Sequence, residues 1–147
     1  MSKKTIVVQI PCLNEEKGLP HVIQNIKSKI PRCRIIVYDN GSDDNSVNVA
    51  LKKGAEVRHV DKKGKGNVVR RMFSDQIEAD YFIMIDGDNT YDVSKLDDMV
   101  KLMTKFNYDM LIGKRIHKDS SAYRKGHVIG NKFFSNFVNL FFGKDIT

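Results

Sequence analysis

Two carboxylates separated by one glycine, Asp86-Gly87-Asp88, directly follow the apolar run Tyr81 to Ile85. Glycine permits a tight turn, so both carboxylates can face one side. Hard divalent cations take oxygen ligands, often one or two carboxylates together with substrate phosphates. The triplet therefore reads either as a solvated acidic turn or as a seat for Mg²⁺ or Mn²⁺ against a diphosphate. A cation there would neutralise charge on a departing phosphate. Its position after a strand expected to be fully buried favours the second reading.

Other polar groups follow other apolar runs. Asp39 ends the run Ile35 to Tyr38, where an α/β fold can present an acid to a ribose or a base. An Asx-turn with Asn40-Gly41 uses the same residue, and the two roles are compatible. Pro11-Cys12-Leu13-Asn14-Glu15-Glu16 follows the first run. Its Asn14 and Glu15 either offer polar groups to a nucleoside or serve helix entry, where acids favour the macrodipole. Cys12 has no histidine nearby in sequence and reads as a small packing residue. Gly64-Lys65-Gly66 is either a phosphate cradle at a helix start or a flexible basic turn. It matches neither the Walker pattern nor G-x-G-x-x-G, because Val69 takes the last position. Lys114, Arg115, Lys118, Arg124, Lys125 and Lys132 form a basic stretch that suits a phosphate or simply solvent.

Alternating strands and helices must position these groups. Ile6 to Ile10 reads as a strand, and Leu19, Val22, Ile23, Ile26 and Ile30 follow helical spacing. Pro20 belongs in a first turn, so that helix begins near Gly18 or Leu19, and Pro31 ends it. Ile35 to Tyr38 is a second strand. Asn40 to Asp44 is a turn that also supplies an N-cap for a short helix through Val47, Ala50 and Leu51, which stops at Gly54. Ala55 to Val60 is a third strand, and Gly64 to Gly66 opens a helix marked by Val68, Met72 and Ile77. Tyr81 to Ile85 is a fourth strand, Leu96 to Met103 a helix, and Met110 to Gly113 a fifth short strand. Val128 to Phe142 is a last helical candidate. Serial β–α units with continuous apolar strands imply an α/β, Rossmann-like fold: a mainly parallel sheet with helices on both faces. Ligands bind such sheets beyond the carboxyl ends of the strands, which is where every loop above lies.

Composition narrows the function classes. The 147 residues suit one domain, with 41% hydrophobic and 29% charged residues. The two cysteines, Cys12 and Cys33, are too few for a disulfide scaffold or a four-cysteine zinc site, and read as reduced thiols. No targeting peptide or ~20-residue apolar span is expected. The net charge of +7 is uneven: residues 1–113 carry 18 basic and 16 acidic residues, residues 114–147 carry 7 and 2. Five of the eight Phe, at 133, 134, 137, 141 and 142, fall in that basic end. The near-neutral body and the lack of a binding motif argue against nucleic acid as the partner. An anionic membrane surface or a phosphate-bearing substrate remains, with residues 126–142 as a candidate membrane-facing amphipathic helix.

Taken together the motifs resemble family 2 glycosyltransferases of the GT-A fold, most nearly the dolichol-phosphate and polyprenyl-phosphate sugar transferases. The resemblance rests on Ile10 to Glu15, Val37 to Asp44, Gly64-Lys65-Gly66, Asp86-Gly87-Asp88 with Thr90-Tyr91, Met110 to Arg115, and Gly130 to Ser135, in that order. It implies an inverting, metal-dependent transfer from a nucleoside-diphosphate sugar, GDP-mannose or UDP-glucose, to a polyprenyl phosphate. It implies that Pro11, Asn14, Glu15 and Asp39 contact the nucleoside and Lys65 lies near the donor. Asp86 and Asp88 would hold Mg²⁺ or Mn²⁺, with Asp88 and Arg115 catalytic. Arg115, Arg124, Lys132 and Ser135 would meet the acceptor phosphate. A cytoplasmic protein, peripheral at the cytoplasmic face of a membrane, would follow. Lys114 departs from the family's usual Ser and receives no role.

The family's catalytic domain continues past the equivalent of Thr147, so residues 1–147 are expected to be its N-terminal, donor-binding part. Two alternatives accompany this reading: a non-catalytic sugar-nucleotide-binding fragment, and a family 2 transferase acting on a soluble glycan, protein or small molecule.

Overall fold

The computed structural model describes residues 4–113. One compact unit runs through Leu111, and a second, Ile112–Thr147, lies almost wholly outside the described residues. The first contains β1 (Ile6–Cys12), α1 (Leu19–Lys29), β2 (Arg34–Asp39), α2 (Ser46–Lys52), β3 (Glu56–His59), α3 (Lys65–Ser74), β4 (Tyr81–Met84) and α4 (Leu96–Phe106).

The strands form one sheet in the order β3-β2-β1-β4, with every neighbouring pair parallel. Side chains alternate across a strand, so β1 and β2 each feed two cores. Val8, Ile10, Cys12, Ile35 and Val37 pack with Leu19, Val22, Ile23 and Ile26 of α1, Ala50 of α2 and Leu96 of α4. On the other face Val7, Ile36 and Tyr38 pack with Val60 and with Val68 and Met72 of α3. Helices therefore cover both faces, as the continuous apolar runs require. Pro20 sits in the first turn of α1, where its missing N–H costs no helical bond.

A buried polar network braces the α3 face. Tyr38 is fully buried, and its hydroxyl accepts from Gln9 Nε2 at 3.1 Å and donates to Asp75 Oδ2 at 3.0 Å. Burial pushes the Asp75 carboxyl up, but hydrogen bonds from Arg58, Arg71 and Tyr38 outweigh it and hold the group below its ordinary value. At the start of β1, Asp80 accepts from Thr5 N, Thr5 Oγ1 and Lys4 Nζ at 2.7 to 2.9 Å, tying β1 to the approach of β4.

Three expectations need correction. Met110 to Gly113 is not a strand; Met110 and Ile112 are about three-quarters exposed, and no neighbouring strand takes up their backbone groups among the described residues. The fourth strand is not fully buried. Among the described residues β4 pairs only with β1, and Phe82 and Met84 are about half exposed. Asn45, not the 40–44 turn, occupies the N-cap of α2, without a side-chain capping bond. Asp44 instead covers the next free donor, accepting from Ser46 N at 2.9 Å. The predicted helix over 128–142 lies outside the described residues.

Candidate functional site

The strand order sets where a ligand fits. The connections run outward from β1 to β2 and β3, then return to β4 on the other side of β1. The switch point thus lies between β1 and β4, and a crevice opens there beyond the carboxyl ends. Pro11 stands at its edge at no cost in ladder bonds. The Gln9 carbonyl accepts from Ile85 N on the β4 side, and the Cys12 carbonyl from Asn40 N on the β2 side. Alternation turns the Pro11 nitrogen toward β4, whose pairing has already ended at Met84.

The loops after β1 and β2 are zipped together by side chain to backbone bonds. Asn14 N donates to Ser42 Oγ at 3.0 Å, Glu15 N to Ser46 Oγ at 2.8 Å and Glu16 N to Asp44 Oδ2 at 3.0 Å. In return the Asn14 Oδ1 accepts from Asp43 N at 2.8 Å. Asn14 adopts the left-handed region at φ 57°, which asparagine tolerates better than most residues. Its amide oxygen is thus engaged with the neighbouring loop.

Asp39 is buried at the end of β2. Its oxygens accept from Gly41 N and Ser42 N at 3.2 Å, forming the expected Asx-type turn, and lie 3.2 Å from His59 Nδ1. Asn40 organises the next loop. Its Nδ2 donates to the carbonyls of Val60 and Lys62, and its Oδ1 accepts from Gly64 N at 2.6 Å. Gly64, at φ 115° and ψ 135°, takes a conformation suited to glycine and starts α3, so Lys65 is the first residue of the helix.

Lys65 reaches the acidic turn. Its Nζ lies 2.7 Å from Asp86 Oδ1 and 2.9 Å from Asp86 Oδ2. Asp88 Oδ1 accepts from Thr90 N and Thr90 Oγ1 at 3.0 and 2.7 Å, which fixes its rotamer. Glu15 faces the same turn: a Cβ on Gly87 would touch Glu15 Cβ and Cγ at 3.5 Å. The Glu15 carboxyl is pushed above its ordinary value, first by burial and then by the charges of Asp88, Asp86 and Asp44, with Lys65 opposing. Several acids therefore share one negative field, compensated on Asp86 by a single ammonium.

The structure thus gathers Asn14, Glu15, Lys65, Asp86 and Asp88 around the β1–β4 crevice, with Pro11 at its wall and Asp39 one strand away. Arg115, Arg124, Lys132 and Ser135 lie outside the described residues. Sequence reasoning assigns no site role to Gly18, Asn40, Ser42 or Ser46, although Asn40 and Ser42 lie in the Val37 to Asp44 motif. Gly18 backs onto the acidic turn, and an added Cβ would meet Gly87 O at 2.7 Å and Asp88 C at 2.9 Å. Its only sequence signal is a glycine just before Leu19-Pro20, which reads equally well as a helix start.

The profile of glycosyl transferase family 2 matches residues 7–146, nearly the whole chain. The chain belongs to this family. Protein RfbJ of Shigella flexneri is 49% identical over 123 residues, which is 83% of this chain and 95% of RfbJ. The low-salt glycan biosynthesis hexosyltransferase Agl6 of Haloferax volcanii is 29% identical over 97% of this chain but only 36% of its own length. Among solved structures, glucosyl-3-phosphoglycerate synthase of Mycobacterium tuberculosis, in complex with UDP, superposes with a TM-score of 0.53 and 28% identity. That match covers 63% of this chain and 37% of the synthase. The same synthase has been solved with Mn²⁺, UDP and glucosyl-3-phosphoglycerate, matching at a TM-score of 0.52 and 29% identity over 58% of this chain and 34% of the synthase. The described sheet and its helices are accordingly a GT-A-like Rossmann fold.

Family 2 membership raises the question of a divalent cation. Among the described residues no three His, Cys, Asp or Glu side chains converge as a closed ligand set. Two carboxylates flanking one glycine, Asp86 and Asp88, suit a cation whose remaining ligands are phosphate oxygens and water. The donor set therefore fits Mg²⁺ or Mn²⁺ arriving against a diphosphate. No helix among the described residues is long and apolar enough to cross a membrane.

Proposed function

We propose that the chain provides the donor-binding part of a metal-dependent transferase that moves a hexose from a nucleoside-diphosphate sugar, UDP-glucose or GDP-mannose, to a phosphate-bearing acceptor with inversion. The observation that carries this reading is the acidic turn Asp86-Gly87-Asp88 facing Glu15 and Lys65 across the β1–β4 crevice. UDP and Mn²⁺ in the mycobacterial synthase complexes support it.

Asp86 and Asp88 would hold the cation, which when bound supplies charge neutralisation at the departing diphosphate. Lys65 adds a mobile ammonium beside the same phosphates. Asn14 and Glu15 contribute polar groups from the β1–α1 loop toward the nucleoside, and Asp39 from the end of β2. Arg115 positions the acceptor phosphate. A phosphate monoester, with its second pKa of about 6, is already a dianion-rich nucleophile at neutral pH. Positioning thus does more for it than a strong general base.

For the acceptor we infer a polyprenyl phosphate at the cytoplasmic face of a membrane, supported by the basic, Phe-rich sequence of residues 114–147. A second reading is a soluble phosphorylated acceptor, supported by the structural likeness to a synthase solved with phosphoglyceric acid. The test is calorimetry of the chain with UDP-glucose and with GDP-mannose, with and without Mn²⁺. Donor binding that requires Mn²⁺ and is lost in Asp88→Ala is expected. Equal donor affinity in Asp88→Ala overturns the metal assignment. Transfer assays with undecaprenyl phosphate and 3-phosphoglycerate as competing acceptors separate the two acceptor readings.

A further inference from the structure

The Lys65–Asp86 pair carries a consequence for the order in which ligands enter. Both oxygens of Asp86 are within hydrogen-bond distance of one ammonium, at 2.7 and 2.9 Å. A cation ligated by Asp86 needs at least one of those oxygens, and it would then stand against a positive charge at close range. Ammonium and cation cannot comfortably share the carboxylate. Lys65 must therefore leave Asp86 when the metal arrives.

It is free to do so. The Lys65 side chain is 62% exposed, it begins α3, and its four-carbon stem is flexible. An exposed pair of this kind is weak, so little holds the ammonium in place once another anion is offered. A diphosphate bound to the incoming cation is such an anion.

We propose that Lys65 is a resident counter-ion for Asp86, which disfavours binding of the bare cation and transfers to the donor diphosphate when metal and nucleotide enter together. Lys65 is thus a positioning residue that couples metal binding to donor binding. The chain without donor keeps its acidic turn partly neutralised. The metal–nucleotide complex meets no such barrier, because its phosphates give the displaced ammonium a new partner. This inference rests on the reading that Asp86 and Asp88 hold the cation.

Opposite signs for metal and donor follow. In Lys65→Gln the bare cation no longer competes with an ammonium, whereas the donor phosphates lose one. The experiment is a Mn²⁺ titration of the nucleotide-free 147-residue chain, followed by the EPR signal of free Mn²⁺. Wild type, Lys65→Gln, Lys65→Arg, Asp86→Asn and Lys65→Gln/Asp86→Asn are compared. Lys65→Gln is expected to bind Mn²⁺ about fivefold more tightly than wild type, the upper range for release of an exposed ion pair. Lys65→Arg stays near wild type, and the gain disappears in the double variant. UDP-glucose affinity in saturating Mn²⁺ falls about tenfold in Lys65→Gln, the loss expected for one charge-assisted bond. A Lys65 that merely supported the fold would weaken both ligands together.

Equal or weaker Mn²⁺ binding in Lys65→Gln overturns the counter-ion role. If Asp86→Asn meanwhile removes Mn²⁺ binding, the metal-site reading survives that result. Mn²⁺ binding that is indifferent to Asp86→Asn in both backgrounds, or no binding in any variant, overturns the site reading and the inference with it.

Discussion

Gly18 and Gly87 stand backbone to backbone: a Cβ on Gly18 would lie 2.7 Å from the Gly87 carbonyl oxygen. That contact fixes the acidic turn against the start of α1. The φ of Gly18 is −81°, so alanine can adopt its conformation, but Gly18 is the N-cap of α1, where glycine is preferred to alanine. The clash adds to this, because the nearest atoms belong to backbone that no rotamer change can move. Overpacking of this kind costs roughly 1–3 kcal/mol, so the net effect is destabilising. Gly18→Ala is expected to lower the urea midpoint and to weaken Mn²⁺-dependent donor binding, since Gly87 and Asp88 must shift. A Gly18→Ala chain as stable as wild type with full donor affinity would show that the turn relaxes freely.

Tyr38 offers the reverse case, a buried group remote from the acidic turn. Its hydroxyl bridges Gln9 Nε2 and Asp75 Oδ2, and no water-facing atom replaces it. Tyr38→Phe leaves Gln9 with a single long bond to the Met72 carbonyl at 3.4 Å. A buried polar group left short of partners costs about 1–3 kcal/mol. The urea midpoint should fall accordingly, while UDP-glucose affinity stays unchanged, because the Gln9 amide reaches Tyr38 and the Met72 carbonyl of α3 and not the acidic turn. A loss of donor affinity at equal stability would contradict the separation of the two regions.

The regular part of this fold is legible in the sequence because its period is strong. β1 and β2 are buried on both faces and read as apolar runs, broken in β1 by Gln9, and the helical spacing of Leu19, Val22, Ile23 and Ile26 names the face of α1 that packs. Burial is less legible for β4, whose apolar residues look the same whether a neighbouring element covers them or not. Met110 to Ile112 fails for a related reason: β-branched and apolar residues make a strand only where a neighbour accepts the backbone. Within the site, carboxylates and the Gly-Lys-Gly turn advertise their chemistry. The groups that aim them do not. Asn40, Ser42 and Ser46 act through bonds to loops twenty or more residues away, and Gly18 acts by having no side chain.

Asn14 joins both kinds of information. Its type suggests a nucleoside contact, yet its amide oxygen already accepts from Asp43 N, and its φ of 57° suits few residues. Asn14→Gly keeps the backbone and loses the bond; Asn14→Ala loses the bond and adds strain of order 1 kcal/mol. If Asn14 acts by shaping the loop, glycine should retain more donor affinity than alanine. Equal losses in calorimetry would instead favour a direct contact made by the amide.

Asp80 gives the pH prediction with a defined sign. Bonds from Thr5 N, Lys4 Nζ and Thr5 Oγ1 hold its carboxyl down to about 2, against an ordinary value of 3.8. A carboxyl depressed in the fold contributes stability that is fully present above its unfolded value and disappears as pH falls through the folded one. The relevant window is therefore from about pH 4 down to about pH 2. Asp75 and Glu56 are also held low and act in the same direction, whereas Glu15, held high, acts in the opposite one. Acid titration of the wild type alone mixes these contributions, so the informative quantity is the difference from Asp80→Asn. That variant keeps the shape of the side chain but cannot ionise. Its stability deficit should be constant from pH 7 to about pH 5 and shrink below about pH 4, as the wild-type carboxylate takes up its proton and loses the Lys4 and Thr5 bonds. Urea denaturation of both chains at several pH values measures the gap. A gap that persists undiminished at pH 2.5 would mean that the Asp80 charge does not tie β1 to β4.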